Sequence, residues 1–140
     1  MPRIERFDAN GRRTVLDDRT QAEAVEENVA RIRAAYEAQV ALGVAHRGKV
    51  LQIDPASQLL LTAAVAQLTA GLPLSARFRG WRMADNTFLA VTPDQLKALA
   101  QAASDRTVAL RDAMWTAIDA VRAARTPAEA DAVAPAWPAP

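Results

Sequence analysis

The sequence predicts an α+β fold in which three main helices, at about 20–42, 55–70 and 93–125, pack with short antiparallel hairpins. Three kinds of observation point there. Helix starts carry side-chain caps, apolar residues recur at steps of three and four behind those caps, and short β-prone stretches flank Asn-Gly, Arg-Gly and Asp-Asn dipeptides.

The first hairpin is read from Arg3-Ile4-Glu5-Arg6-Phe7 and Arg13-Thr14-Val15-Leu16, with Asn10-Gly11 supplying the positive φ of a tight turn. An isolated hairpin is marginal in water, so this one is expected to pack on the body of the protein or on a partner. Thr20 and Glu23 have capping-box spacing, and Val25, Val29, Ile32, Tyr36 and Val40 trace one apolar stripe down the first helix. Gly43 ends it. Val44-Ala45-His46 and Lys49-Val50-Leu51-Gln52-Ile53 flank Arg47-Gly48 as a second hairpin.

Asp54-Pro55 opens the second helix with a cap followed by proline at the first helical position, where a missing N–H costs nothing. Its Leu59, Leu60, Leu61, Val65 and Leu68 predict a wide apolar face and the most buried helix of the fold. Residues 77–83 and 87–91 read as a longer hairpin around Ala84-Asp85-Asn86. Strand alternation places Arg77, Arg79, Trp81 and Met83 on one face, with Trp81 as sheet anchor and Asp85 and Asn86 as turn residues. Thr92-Pro93-Asp94-Gln95 repeats the capping logic for the third helix. Leu96, Leu99, Ala103, Leu110, Met114, Ile118 and Val121 form its inner stripe, interleaved with Asp105, Arg106, Arg111, Asp112 and Arg122. Roughly 30 residues rise about 45 Å, more than a core of this size needs, so part of this helix is a candidate for pairing with a second copy. Thr126-Pro127 caps one more short helix. Val133 to Pro140 is then an extended, proline-rich segment whose Trp137 either docks on its own domain or is offered to a partner.

Composition narrows the function classes. Of the 140 residues 33 are alanine, so large side chains are scarce and each Trp or Phe marks a packing or docking position. Seventeen basic and sixteen acidic residues nearly cancel, which leaves no global field to draw in nucleic acid or an anionic membrane. The chain has no cysteine, which excludes a disulfide framework and a thiolate metal site. The charged start and the lack of roughly 20 consecutive apolar residues predict a chain neither exported by a signal peptide nor embedded in a membrane. His46, the one histidine, reads as a turn or surface residue, and the scattered glycines make no phosphate loop. No catalytic, cofactor-binding or metal-ligating residue is predicted, and an enzyme is not expected. Arg77, Arg79 and Trp81 could in principle serve a small nucleic-acid-binding regulator, but a ring packed on a helix with arginine stems beside it is the favoured reading.

Ile53-Asp54-Pro55-Ala56-Ser57, Gly80-Trp81-Arg82-Met83-Ala84-Asp85-Asn86 and Leu89-Ala90-Val91-Thr92-Pro93-Asp94-Gln95-Leu96-Lys97-Ala98-Leu99 resemble an uncharacterised domain family associated with tail-fibre genes of tailed bacteriophages and prophages. The similarity covers roughly residues 22–124. Trp137-Pro138-Ala139-Pro140 also resembles the ending of tail-fibre assembly proteins. The resemblance implies a structural component of the virion tail, made in the bacterial host cytoplasm, with fibre or baseplate proteins as partners; the alternative is a tail-fibre assembly chaperone. The expected organisation is an attachment hairpin at 1–18, the α+β domain at 19–125 and a terminal helix and tail at 126–140. Ile4, Phe7, Trp115, Trp137 and Pro138 are the candidate partner-binding residues.

Overall fold

A computed structural model describes residues 3–140; the side chains of Arg3, Ile4, Thr14 and Val15 lie outside the description. The elements are β1 (Arg3–Phe7), β2 (Arg13–Asp17), α1 (Gln21–Ala41), β3 (Val44–His46), β4 (Lys49–Leu51), α2 (Pro55–Thr69), β5 (Trp81–Arg82), β6 (Phe88–Leu89), α3 (Pro93–Ala123) and α4 (Pro127–Ala132). The fold is α+β, and among the described residues the strands form three separate antiparallel pairs: β1 with β2, β3 with β4, and β5 with β6. No helix among the described residues is long and apolar enough to cross a membrane.

The caps form as the spacing predicts. The Glu23 N–H donates to Thr20 Oγ1 at 3.2 Å while the Thr20 N–H donates to Glu23 Oε2 at 2.7 Å, and Thr92 with Gln95 repeats the reciprocal pair at 3.2 and 3.0 Å. Asp54 accepts from the Ser57 N–H at 3.0 Å, and Thr126 accepts from the Glu129 N–H at 3.1 Å.

The chain divides into two compact units. One comprises the described residues through Ala34 together with Met114–Ala136, and the other Ala35–Ala113 with Trp137–Pro140. α1 and α3 each supply residues to both units.

In the first unit, Ala24, Ile32, Met114, Ala117, Ile118, Val121 and Ala130 are buried. The inward line of α1 is centred on Ala24, Asn28 and Ile32, with Val25 and Val29 half-buried beside it. That line departs from the predicted stripe only at its start, where Ala24 and the polar Asn28 take the inward places expected of Val25 and Val29, while Ile32 is buried as predicted. Asn28 is buried because its amide is satisfied, donating to the Ala24 carbonyl at 2.9 Å and to Asp131 Oδ1 at 2.8 Å. Arg19, whose side chain is 7% exposed, is ringed by Asp17, Glu27 and Asp131. The hydrogen bonds that Arg19 donates to Asp17, then Asp131 and Glu27, hold its pKa above the ordinary arginine value, while those from Arg19 and Asn28 hold the Asp131 carboxyl below the usual carboxylate range. Gln21 Nε2 donates to the Ala124 carbonyl at 2.6 Å and Arg31 to the Val133 carbonyl at 2.8 Å, tying α1 to the chain on either side of α4.

The second unit is built on Leu51, Ile53, Leu61, Met83, Leu96, Leu99, Ala103 and Leu110. Gly43, at φ +67, ends α1, and a Cβ there would lie 2.4 Å from the Leu51 carbonyl oxygen, so the helix can turn this closely into β3–β4 only through glycine. Arg47 and Gly48, at φ 50 and 76, make the tight turn of that hairpin.

Three expectations are corrected in this unit. α2 is not the most buried helix: only Leu61 is fully buried, and Leu59 and Leu60 are 70% and 64% exposed. Consecutive residues on a helix are about 100° apart, so three leucines in a row cannot share one face, and Leu61, Ala64, Val65 and Leu68 form the inward side. The third hairpin is shorter than read, with two residues in each strand. Arg77 and Arg79 precede β5, so they do not share a strand face with Trp81, which is half-buried against the core beside the fully buried Met83. Arg106 is not on the solvent side but 5% exposed, occupying the turn of the α3 stripe between Ala103 and Leu110.

The Arg106 guanidinium donates to the carbonyls of Pro138 and, at 2.9 Å, Ala139, and to Gln39 Oε1 at 3.3 Å. Its Nε has no hydrogen-bond partner among the described residues, and burial lowers its pKa. Trp137 is half-buried against the core of the same unit, so of the two placements open to it from sequence the structure takes the docked one. The apolar stripe of α3 is covered along its length, from Leu96 to Val121, and what it leaves exposed is Val108 and Trp115 on other faces.

Candidate interaction surface

The second unit carries a groove of about 290 Å³ lined by Gln52, Ser57, Leu60, Phe78, Gly80, Trp81, Arg82 and Phe88. Its position follows from the local structure. Leu60 stands on the side of α2 turned away from the core, Phe88 is 51% exposed in β6, and Phe78 and Trp81 are half-buried on the segment that enters β5. That segment approaches β6 so closely that a Cβ on Gly80, at φ +126, would lie 2.4 Å from the Leu89 carbonyl oxygen. An exposed leucine and an exposed phenylalanine gathered with two half-buried aromatic rings around one concave site are what globular proteins seldom leave on the surface without a use.

The polar groups near the groove are held by local hydrogen bonds. The Ser57 hydroxyl donates to Asp54 Oδ2 at 2.6 Å, and this bond together with the Ser57 N–H keeps the Asp54 carboxyl below its ordinary range. At the β5–β6 turn Asn86 adopts φ 64, the left-handed conformation asparagine tolerates, and Asp85 accepts from the Thr87 hydroxyl at 2.6 Å and the Thr87 N–H at 3.0 Å. Lys49 reaches this turn from β4, 3.2 Å from Asp85 Oδ2 and hydrogen-bonded to Thr87, and the Ala84 N–H donates to the Val50 carbonyl at 2.9 Å. The two hairpins of the unit are therefore coupled.

Hydrogen bonds from Thr87, with Lys49 adding to them, bring the Asp85 pKa down from 3.8 to about 2. A folded-state value below the unfolded one stabilises the fold above pH 3.8 and loses that contribution as pH falls through about 2. Asp85→Asn is expected to flatten the fall of the thermal midpoint across that window relative to the parent, measured by circular dichroism melts at successive pH values.

The other predicted residues do not converge here. The side chain of Ile4 lies outside the described residues. Phe7 is 64% exposed at the end of β1, and Trp115 is 41% exposed on α3, both in the first unit. Trp137 and Pro138 belong to the docked segment described above, and His46 is half-buried at the end of β3. Among the described residues no group of three or more His, Cys, Asp or Glu side chains is placed to hold a metal ion. The residues the sequence reading missed as surface are Leu60 and Phe88; the run Leu59-Leu60-Leu61 held the signal, because a helix must turn at least one of the three outward.

A family model described as a domain of unknown function, DUF4376, matches residues 21–134. The chain belongs to the DUF4376 family. The groove and the coupled hairpins fall inside the matched span, whereas β1–β2 and the docked segment 137–140 fall outside it. The DUF4376 match starts within one residue of the similarity read from the sequence and extends ten residues beyond it, through α4. No curated protein and no solved structure matches the chain.

Proposed function

We propose that this DUF4376 chain is a non-enzymatic structural component of a bacteriophage or prophage tail, an adaptor at the fibre or baseplate region that holds a partner protein in the groove of its second unit. The observation that carries the protein-binding part is the gathering of Leu60, Phe78, Trp81 and Phe88 around one concavity, with Leu60 and Phe88 more than half exposed. Aromatic and aliphatic anchors in a preformed recess are the usual centre of a protein–protein contact. The tail assignment is supported by the resemblance of residues 53–57, 80–86 and 89–99 to tail-fibre-associated domains.

Two measurements test it. Mass spectrometry of purified particles from the encoding phage or prophage should find the chain in the tail. Its absence from mature particles removes the structural reading and leaves the assembly-chaperone one. Leu60→Asp, at an exposed position, should change stability by no more than about 0.5 kcal/mol yet abolish co-purification with the fibre or baseplate protein; undiminished co-purification would exclude the groove as the contact.

A further inference from the structure

The groove has a charge pattern that its apolar lining does not require. Arg82 is one of the lining residues, and Arg77 and Arg79 flank Phe78, another. All three arginines are exposed, and none has a salt-bridge partner among the described residues. The acidic side chains that adjoin the site in sequence are already engaged, Asp54 by Ser57 and Asp85 by Thr87 and Lys49. In the first unit the opposite holds: Arg19 gathers three carboxylates. A nearly neutral chain therefore leaves a local excess of guanidinium beside its apolar recess.

On the reading that this groove binds a partner, we infer that its occupant is an acidic, extended segment of another protein, with one bulky apolar side chain seated among Leu60, Phe78, Trp81 and Phe88. Carboxylates on either side of that anchor meet Arg82 and the Arg77–Arg79 pair. Guanidinium suits carboxylate because its planar donors can engage both oxygens, and exposed arginines around an apolar centre add rate and selectivity through charge complementarity. Single-stranded nucleic acid fits the same surface less well. It needs a track of phosphate contacts and aromatic faces spaced for successive bases, whereas a recess of about 290 Å³ accommodates one large side chain. The balance of 17 basic against 16 acidic residues also withholds the long-range attraction that nucleic-acid binding uses.

The test pans the immobilised full chain against a display library of random twelve-residue peptides. Enriched peptides should carry Asp or Glu on either side of Leu, Phe, Trp or Met. A synthetic copy of one should bind at least about tenfold more weakly to the Arg79→Glu/Arg82→Glu variant, and similarly weakly when its carboxylates are replaced by amides. Circular dichroism confirms that the variant remains folded. Absence of enrichment, enrichment of neutral or basic peptides, or equal binding of the acid and amide forms overturns the inference. So does tighter binding of a thymidine dodecamer than of the peptide, which would assign the surface to nucleic acid. Those first three results leave the adaptor reading standing, because Leu60→Asp co-purification judges it separately.

Discussion

Gly80→Ala is expected to destabilise the chain by about 3 kcal/mol, the combined scale of a backbone held in a glycine-only region and an atom forced into a packed neighbour. At φ +126 the added methyl would sit 2.4 Å from the Leu89 carbonyl oxygen and 2.8 Å from its carbon. Backbone cannot swing aside as a flexible side chain can, so β5 must separate from β6 or residue 80 must leave its conformation. Either movement disturbs Trp81 and the groove wall. Urea titration should show a lower midpoint, and any folded population should bind the groove peptide weakly. An unchanged midpoint would mean that the approach of residue 80 to Leu89 is not required for the fold.

Arg106 yields the second large effect, and its size depends on the replacement. Arg106→Ala empties a buried position in the α3 stripe and abandons the carbonyls of Pro138 and Ala139, so a loss of about 2–4 kcal/mol is expected. Arg106→Met keeps most of the apolar stem and removes a guanidinium that burial disfavours and that has no carboxylate partner among the described residues. Ala139 is exposed and Pro138 half-buried, so water can reach the abandoned carbonyls. The Met variant is therefore expected within about 1 kcal/mol of the parent. Parallel urea titrations distinguish the cases. Equal losses in both variants would show that the hydrogen bonds to residues 138 and 139 outweigh packing.

Much of the local structure was legible because it is written in short-range chemistry. Thr20 with Glu23, Asp54 with Pro55, Thr92 with Gln95 and Thr126 with Pro127 each place a side-chain acceptor where first-turn N–H groups lack partners, and each starts a helix. Arg47-Gly48 and Asp85-Asn86 likewise mark turns because few residues tolerate positive φ. The α3 stripe is legible at Leu96, Leu99, Ala103, Leu110, Met114, Ile118 and Val121 because a period of 3.6 runs through all of them. The groove was hardly legible. The sequence places Leu60 in the apolar face of α2, and nothing in its neighbours' identities says that the helix turns it toward the groove that Phe88 also lines.

By itself the sequence determined where helices begin, where the chain reverses, the α+β class and the family, since caps, turns and periodicity depend on residues a few positions apart. Tertiary structure decided which polar side chains are buried, how the chain divides into units, and which apolar ones are left out. Asn28 and Arg106 can enter the interior only because Asp131, and the carbonyls of Pro138 and Ala139, arrive from more than 30 residues away to accept their hydrogen bonds. Burial of a polar group is set by its distant partner, and no local pattern encodes that partner.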